Sequence, residues 1–170
     1  MIATGMTIPE FPRLIRLDRI GTQGLDLTVD ASPAECAALA VRMKLPAVHA
    51  VSCTFHLVRE TRDVVAAHGT LCARVTQTCV VSLEDFETVV GESFQVRFVP
   101  SGVETDDIDP ETIDEIGFEG NQIDLGEAAA EQLALALDPY PRMPGAELLE
   151  AGADGEFHPF ARLSGLRRLN

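Results

Sequence analysis

The feature that most constrains this chain is a change of hydrophobic period at Pro46. Before it, SPAECAALAVRM (32–43) places Cys36, Leu39, Ala40 and Met43 at i, i+3, i+4 and i+7, which is one narrow apolar face of a helix. Ser32 suits the N-cap, Pro33 the first helical position, and Glu35 completes a capping box. After Pro46 the period falls to two. AVHAVSCTFHLVRE runs to Glu60, and a polar turn with Thr61, Arg62 and Asp63 leads into VVAAHGTLCARVTQ, where Gly69 reads as a bulge or bend. TCVVSL and FETVV continue the run, and Gly91-Glu92 ahead of alternating Phe94, Val96 and Phe98 reads as a hairpin. No helix separates these strands, so residues 47–98 are expected to form one antiparallel sheet, with helix 32–43 covering a face through Cys36, Leu39 and Met43.

The flanking segments are less uniform. FPRLIRLDRI (11–20) sets Arg13, Arg16 and Arg19 three apart, as on one helical face, yet Leu14, Ile15, Leu17 and Ile20 fit either period. LDLTV (25–29) alternates as a half-buried strand. Residues 100–121 hold eight acids, two prolines and three glycines, the composition of a solvated loop. Asp124 repeats the N-cap logic with Glu127 three later, and Leu125, Ala129, Leu133 and Leu137 make one i+4 row that Pro139 ends. The remainder is rich in Pro and Gly until HPFARLSGLRRL, a short basic terminal turn. The expected fold class is therefore α+β. A curled antiparallel β-meander or partial barrel is covered by two main helices, with an acidic loop at 100–121 and a Pro/Gly-rich tail at 139–170, all in a single domain over 1–170.

Charge is segregated along the chain. Residues 1–97 carry nine basic and eleven acidic groups, residues 98–141 twelve acids and no base, and residues 142–170 four of each. Such a segment repels a phosphate backbone and attracts a basic protein, although acidic excess also serves solubility. The apolar stretches fall short of a membrane span, and an opening broken by Pro9, Pro12 and three arginines does not read as a secretory signal. Cysteines at 36, 53, 72 and 79 show no C-x-x-C pair, so a reduced, cytoplasmic chain is the simplest reading.

Catalytic patterns are absent. The sequence contains no phosphate-binding loop, dinucleotide fingerprint, nucleophile elbow or H-E-x-x-H. His49, His56, His68 and His158 lie at no metal-ligand spacing, and Cys53 and His56 fall on opposite faces of one strand. Cys79 with His68 is the one nucleophile–base pair available for an enzyme, against a buried structural thiol. Phe55, Leu57, Phe94 and Phe98 line a ligand cavity in an alternative reading as a small apolar-ligand-binding β-domain, or else form ordinary core.

Three stretches, RVTQTCVVSLEDFE (74–87), IDLGEAAAEQLALALDPYPRMPG (123–145) and HPFARLSGLRRL (158–169), together with FPRLIRLDRIG and the capped helix, resemble the YceD family of bacterial and organellar proteins. Members carry C-x-[RK]-C-L-E, matched here by Cys79, Leu83 and Glu84, with Ser82 in place of the second cysteine. Met143, Pro144 and Gly145 stand where some members have further, metal-binding cysteines, so the resemblance implies a metal-free branch without cofactor. It further implies a non-enzymatic role in large ribosomal subunit assembly or 23S rRNA accumulation. With the charge pattern, the expected partner is a basic ribosomal protein or pre-ribosomal particle, with weak or indirect rRNA contact and no membrane. The expected contact residues are Glu104, Asp106, Asp107, Asp109, Glu111, Asp114, Glu115 and Glu119 on the acidic side, with helix 124–137 beside them, and Arg162, Arg167 and Arg168 on the basic side. Should the termini meet, Arg13, Arg16 and Arg19 would join those three in one patch.

Overall fold

Nine elements make up the computed structural model, which describes residues 9–102 and 113–146. In chain order they are β1 (Leu14–Arg16), β2 (Leu25–Asp30), α1 (Pro33–Met43), β3 (Ala47–Arg59), β4 (Val65–Thr78), β5 (Asp85–Pro100), β6 (Asp114–Phe118), β7 (Gln122–Asp124) and α2 (Leu125–Ala136), with a 3-10 turn at Leu17–Arg19. The main sheet runs β2-β3-β4-β5-β6, and β1 pairs with β7 in a separate two-stranded ribbon. The first four strands of the main sheet pair antiparallel, as expected where β3, β4 and β5 follow one another without a helix between them.

Central strand β4 sets the layering. Val65, Ala67, Leu71, Ala73 and Val75 point inward and are buried, meeting Leu57, Cys53 and Val51 from β3 and Val96 and Phe98 from β5. Both helices lie on that side, α1 over β3 and α2 over β5 and β4, and their side chains join one core cluster. The opposite side is solvated. Thr28, Thr54, Thr70 and Ser93 stand there in register across four strands, all exposed, as on an antiparallel sheet with one dry face.

Helix α1 forms as its sequence predicts. The Ser32 hydroxyl accepts from the Glu35 N–H, and the Glu35 carboxylate accepts the Ser32 N–H at 2.7 Å. Cys36, Leu39 and Ala40 are buried, while Met43 packs half-buried against the core. Asp124 caps α2 with one carboxylate oxygen, which accepts from Gly126, Glu127 and, at 2.8 Å, the backbone N–H of Arg13. Gly126 is required there because a Cβ would run into the Phe11 carbonyl. Glu127 turns away from the cap to chelate Arg42, whose guanidinium also reaches Glu10, so one arginine ties α1, α2 and the N-terminal segment together.

The five-stranded sheet is open. Three expectations need correction. Residues 114–118, expected within a loop, form β6, which pairs parallel to β5; the adjacent acids Asp114 and Glu115 open the strand ahead of Ile116 and Phe118, and the charge masked the period. The thirteen residues between Pro100 and Asp114 give the length that a parallel crossover needs. The chain reverses at residues 79–84, not at Gly91-Glu92, where β5 runs straight through opposite Cys72 and Leu71. Gly69 is no bulge: it pairs regularly with Phe55 and Phe94, and the Phe94 ring occupies the space a Cβ would take, while the irregularity falls at Val48/Ala50. The opening segment, whose spacing fits either period, forms a strand and a 3-10 turn, so its three arginines share no helical face.

Two outcomes follow from this packing. Gly69→Ala drives a methyl into the Phe94 ring, with an expected loss of about 1–3 kcal/mol in denaturant unfolding that Phe94→Ala in the same chain largely relieves. The Glu35 carboxyl is held down from 4.5 to about 2, first by its hydrogen bonds from Arg13 and then by the Ser32 N–H. A lowered folded pKa stabilises above the unfolded value, so this contribution is complete above about pH 4.5 and vanishes as pH falls towards about 2. Glu35→Gln therefore flattens the acid limb of the stability–pH curve in that window, as thermal unfolding at a series of pH values reads directly.

Candidate functional site

The family-motif residues fall on the turn that joins β4 to β5. Of the usual turn formers this turn has only Ser82, whose hydroxyl accepts from the Glu84 N–H at 3.4 Å; the other residues after Cys79 are Val80, Val81, Leu83 and Glu84. Sulfur supplies the rest. The fully buried Cys79 Sγ accepts N–H groups from Val81 and Ser82, each at 3.4 Å, and from Met143 at 3.3 Å. The backbone closes around it, with the Cys79 N–H donating to the Glu84 carbonyl at 2.8 Å and the Leu83 N–H to the Cys79 carbonyl at 2.9 Å. Leu83 is left at φ +60, in the left-handed region that a branched, bulky residue rarely enters.

The Met143 contact brings in a second chain segment. After α2, residues 138–143 pass across the turn as a strap, held where the Val80 N–H donates to the Pro141 carbonyl at 2.9 Å. The amide of buried Gln77 donates to the Asp138 carbonyl at 3.1 Å. One sulfur thus bonds both to its own turn and to a strap 64 residues further along. The Ser82 hydroxyl, followed by the Ser82 and Met143 N–H groups, draws the thiol down to about 7, because donors aimed at sulfur favour the thiolate.

As a metal donor set this arrangement does not fit. It offers one thiol and one hydroxyl, with a backbone N–H from Met143 already on the sulfur, whereas a structural zinc takes about four ligands. Among the described residues no three His, Cys, Asp or Glu side chains converge. A thiol–imidazole pair is also ruled out by geometry: His68 sits mid-strand, eleven residues from Cys79, or about 35 Å along β4. Cys53 is buried, its thiol pushed up to about 12 by burial, on the face opposite His56, which meets Asp26 at 2.6 Å. Phe55, Leu57 and Phe98 are core, and Phe94 meets Phe55 edge-on with centroids 5.8 Å apart; the four line no common cavity, Phe94 bordering a cleft of about 350 Å³ with His68 and Gln95, and Phe98 a separate one of about 260 Å³ with Ile116 and Ala128.

The expected contact residues are only partly brought together. Asp114, Glu115 and Glu119 lie on or just after edge strand β6; Asp114 and Glu119 are exposed, while Glu115 leans towards Arg97 at 3.8 Å. Glu119 and Asp63 border a cleft of about 440 Å³ with Leu17, Ser101, Phe118 and Asn121. Glu104, Asp106, Asp107, Asp109, Glu111, Arg162, Arg167 and Arg168 lie outside the described residues. Of the leading arginines, Arg13 is bidentate to Glu35 at 2.7 and 2.8 Å and Arg16 pairs with Asp18, which removes two of the three from a free basic patch. Sequence reasoning missed the strap, since DPYPRMPG has the composition of a plain tail; the only available signal was a cysteine inside an otherwise featureless apolar turn.

The sulfur clasp makes a direct prediction. Cys79→Ala leaves three N–H groups facing a void, with an expected loss of about 1–3 kcal/mol in denaturant unfolding. Amide exchange at Met143 and Ser82 should quicken in the variant; unchanged exchange at Met143 would dissociate the strap from the sulfur.

The comparisons with known proteins agree with the motif. A family model described as "Large ribosomal RNA subunit accumulation protein YceD" matches residues 67–166, more than half of the chain, from the middle of the sheet through the turn, β6, α2 and the strap. No curated protein and no solved structure matches. With Cys79, Leu83 and Glu84 at the turn and the capped second helix both inside that match, the chain belongs to the YceD family.

Proposed function

We propose that this chain is a non-enzymatic factor in large ribosomal subunit assembly, which holds a basic ribosomal protein or a pre-ribosomal particle through its acidic side and so supports accumulation of 23S rRNA in the cytoplasm. The observation that carries this reading is the segregation of charge, twelve acids and no base over residues 98–141, in a family described by rRNA accumulation. Asp114 and Glu119 put part of that charge at an exposed sheet edge beside Asp63. Unassembled ribosomal proteins are basic and bind phosphate indiscriminately, so an acidic surface competes with RNA until the correct site is offered. Arg162, Arg167 and Arg168 supply any weak RNA contact.

The test is association with purified large-subunit precursor particles across a salt series. Replacing Glu104, Asp106, Asp107, Asp109, Glu111, Asp114 and Glu119 by their amides should slow association about tenfold or more at low salt and flatten its salt dependence. Equal rates and equal slopes would refute capture by charge. Substituting Arg162, Arg167 and Arg168 with Gln separates the RNA-facing half: an unchanged salt slope there leaves protein capture alone.

A further inference from the structure

We infer that the tip formed by the β4–β5 turn and the strap is a docking knob for the same basic protein partner, so this inference rests on the assembly reading and adds a second, apolar contact to it. Leu83 is 77% exposed, Val80 45% and Tyr140 72%. Val80 and the strap are joined backbone to backbone through Pro141, and Leu83 is tied to Cys79 within the same turn, so the three side chains share one small end of the molecule. Single exposed apolar residues are ordinary; three on one rigid tip are a recognition feature.

Leu83 is the telling member. At φ +60 a glycine or asparagine would relieve strain, and at 77% exposure either would also avoid showing an isobutyl group to water. The fold gains nothing from leucine at this position, in conformation or in burial. Strain kept at an exposed apolar residue, on a turn fixed from beneath by buried sulfur, points to a group held out for another molecule.

The rim states the chemistry of that molecule. Glu84, Asp85 and Asp138 are exposed around the apolar tip, against one guanidinium, Arg142. Three carboxylates beside an apolar knob repel nucleic acid and suit a protein that offers an apolar socket bordered by lysine or arginine, the same sign of partner that the acidic segment attracts. The rigid clasp keeps the ordering cost of the contact low.

Leu83→Gly separates recognition from folding, because glycine accepts φ +60 without strain. The variant is expected to unfold at an equal or higher denaturant midpoint while its affinity for purified large-subunit precursor particles falls about tenfold, at low and high salt alike, as loss of an apolar anchor requires. Val41→Ala, which trims a residue 80% exposed on α1, should leave affinity unchanged. Glu84→Gln with Asp85→Asn should weaken binding at low salt only. Undiminished affinity of Leu83→Gly, with the unaltered chain binding the particles, would overturn the knob and leave charge capture standing. Failure of the unaltered chain to bind would remove both. Binding of Leu83→Gly that is lost only through a change in self-association, read by sedimentation, would assign the tip to a second copy of the chain and likewise overturn the proposal.

Discussion

Burial of one face of the sheet is the constraint on which the other features depend. The alternation along β3 and β4 commits every second side chain to the same interior, and a sheet with one apolar face must find a cover. Both helices supply it from one side, so their N-termini have to be fixed against other segments instead of being left in water. Asp124 does this for α2 by holding the backbone of Arg13, and Glu35 does it for α1 by closing its own cap while gripping the Arg13 guanidinium. Arg13 therefore lies between two helix starts, and its charge is spent on the fold.

The same layering positions the functional elements at the periphery. With both helices on one face, the strap after α2 comes back to meet the β4–β5 turn. Cys79 converts that meeting into a fixed geometry. A soft sulfur acceptor tolerates longer hydrogen bonds than oxygen, so three N–H groups from two distant segments converge on one atom at 3.3–3.4 Å. With Ser82 and Met143 at these positions, the turn and strap are kept together by hydrogen bonding. Asp114 and Glu119 lie elsewhere, on and just after β6, so the apolar tip and this acidic edge are presented as separate elements.

How far the sequence disclosed this depends on which residues carried the signal. The helix at 33–43 was legible because Ser32, Pro33 and Glu35 state its start and Cys36, Leu39 and Ala40 its buried face. The second helix was legible through Asp124 for the same reason. The reversal at 79–84 was not: local turn chemistry favours Gly91-Glu92, and a turn of Val, Val, Ser and Leu draws on buried sulfur and a distant strap, besides its own local bonds, to satisfy its backbone. β6 was hidden by Asp114 and Glu115, and its parallel pairing comes from a crossover that periodicity does not encode. Of the proposed contact residues, Asp114 and Glu119 were legible as exposed charge, whereas the approach of Glu115 to Arg97, eighteen residues away in sequence, arises only across the sheet.

The central claim is that this chain meets a basic large-subunit component with its acidic edge and its apolar tip, while the solvated sheet face and the outer side of α1 stay free. Hydrogen exchange of the chain alone and with purified precursor particles measures this directly. The account predicts protection at residues 79–85, 113–119 and 138–143, with none at Val41 or along Thr54 and Thr70. Protection confined to the open sheet face or to α1, with the turn, strap and β6 unchanged, would contradict it.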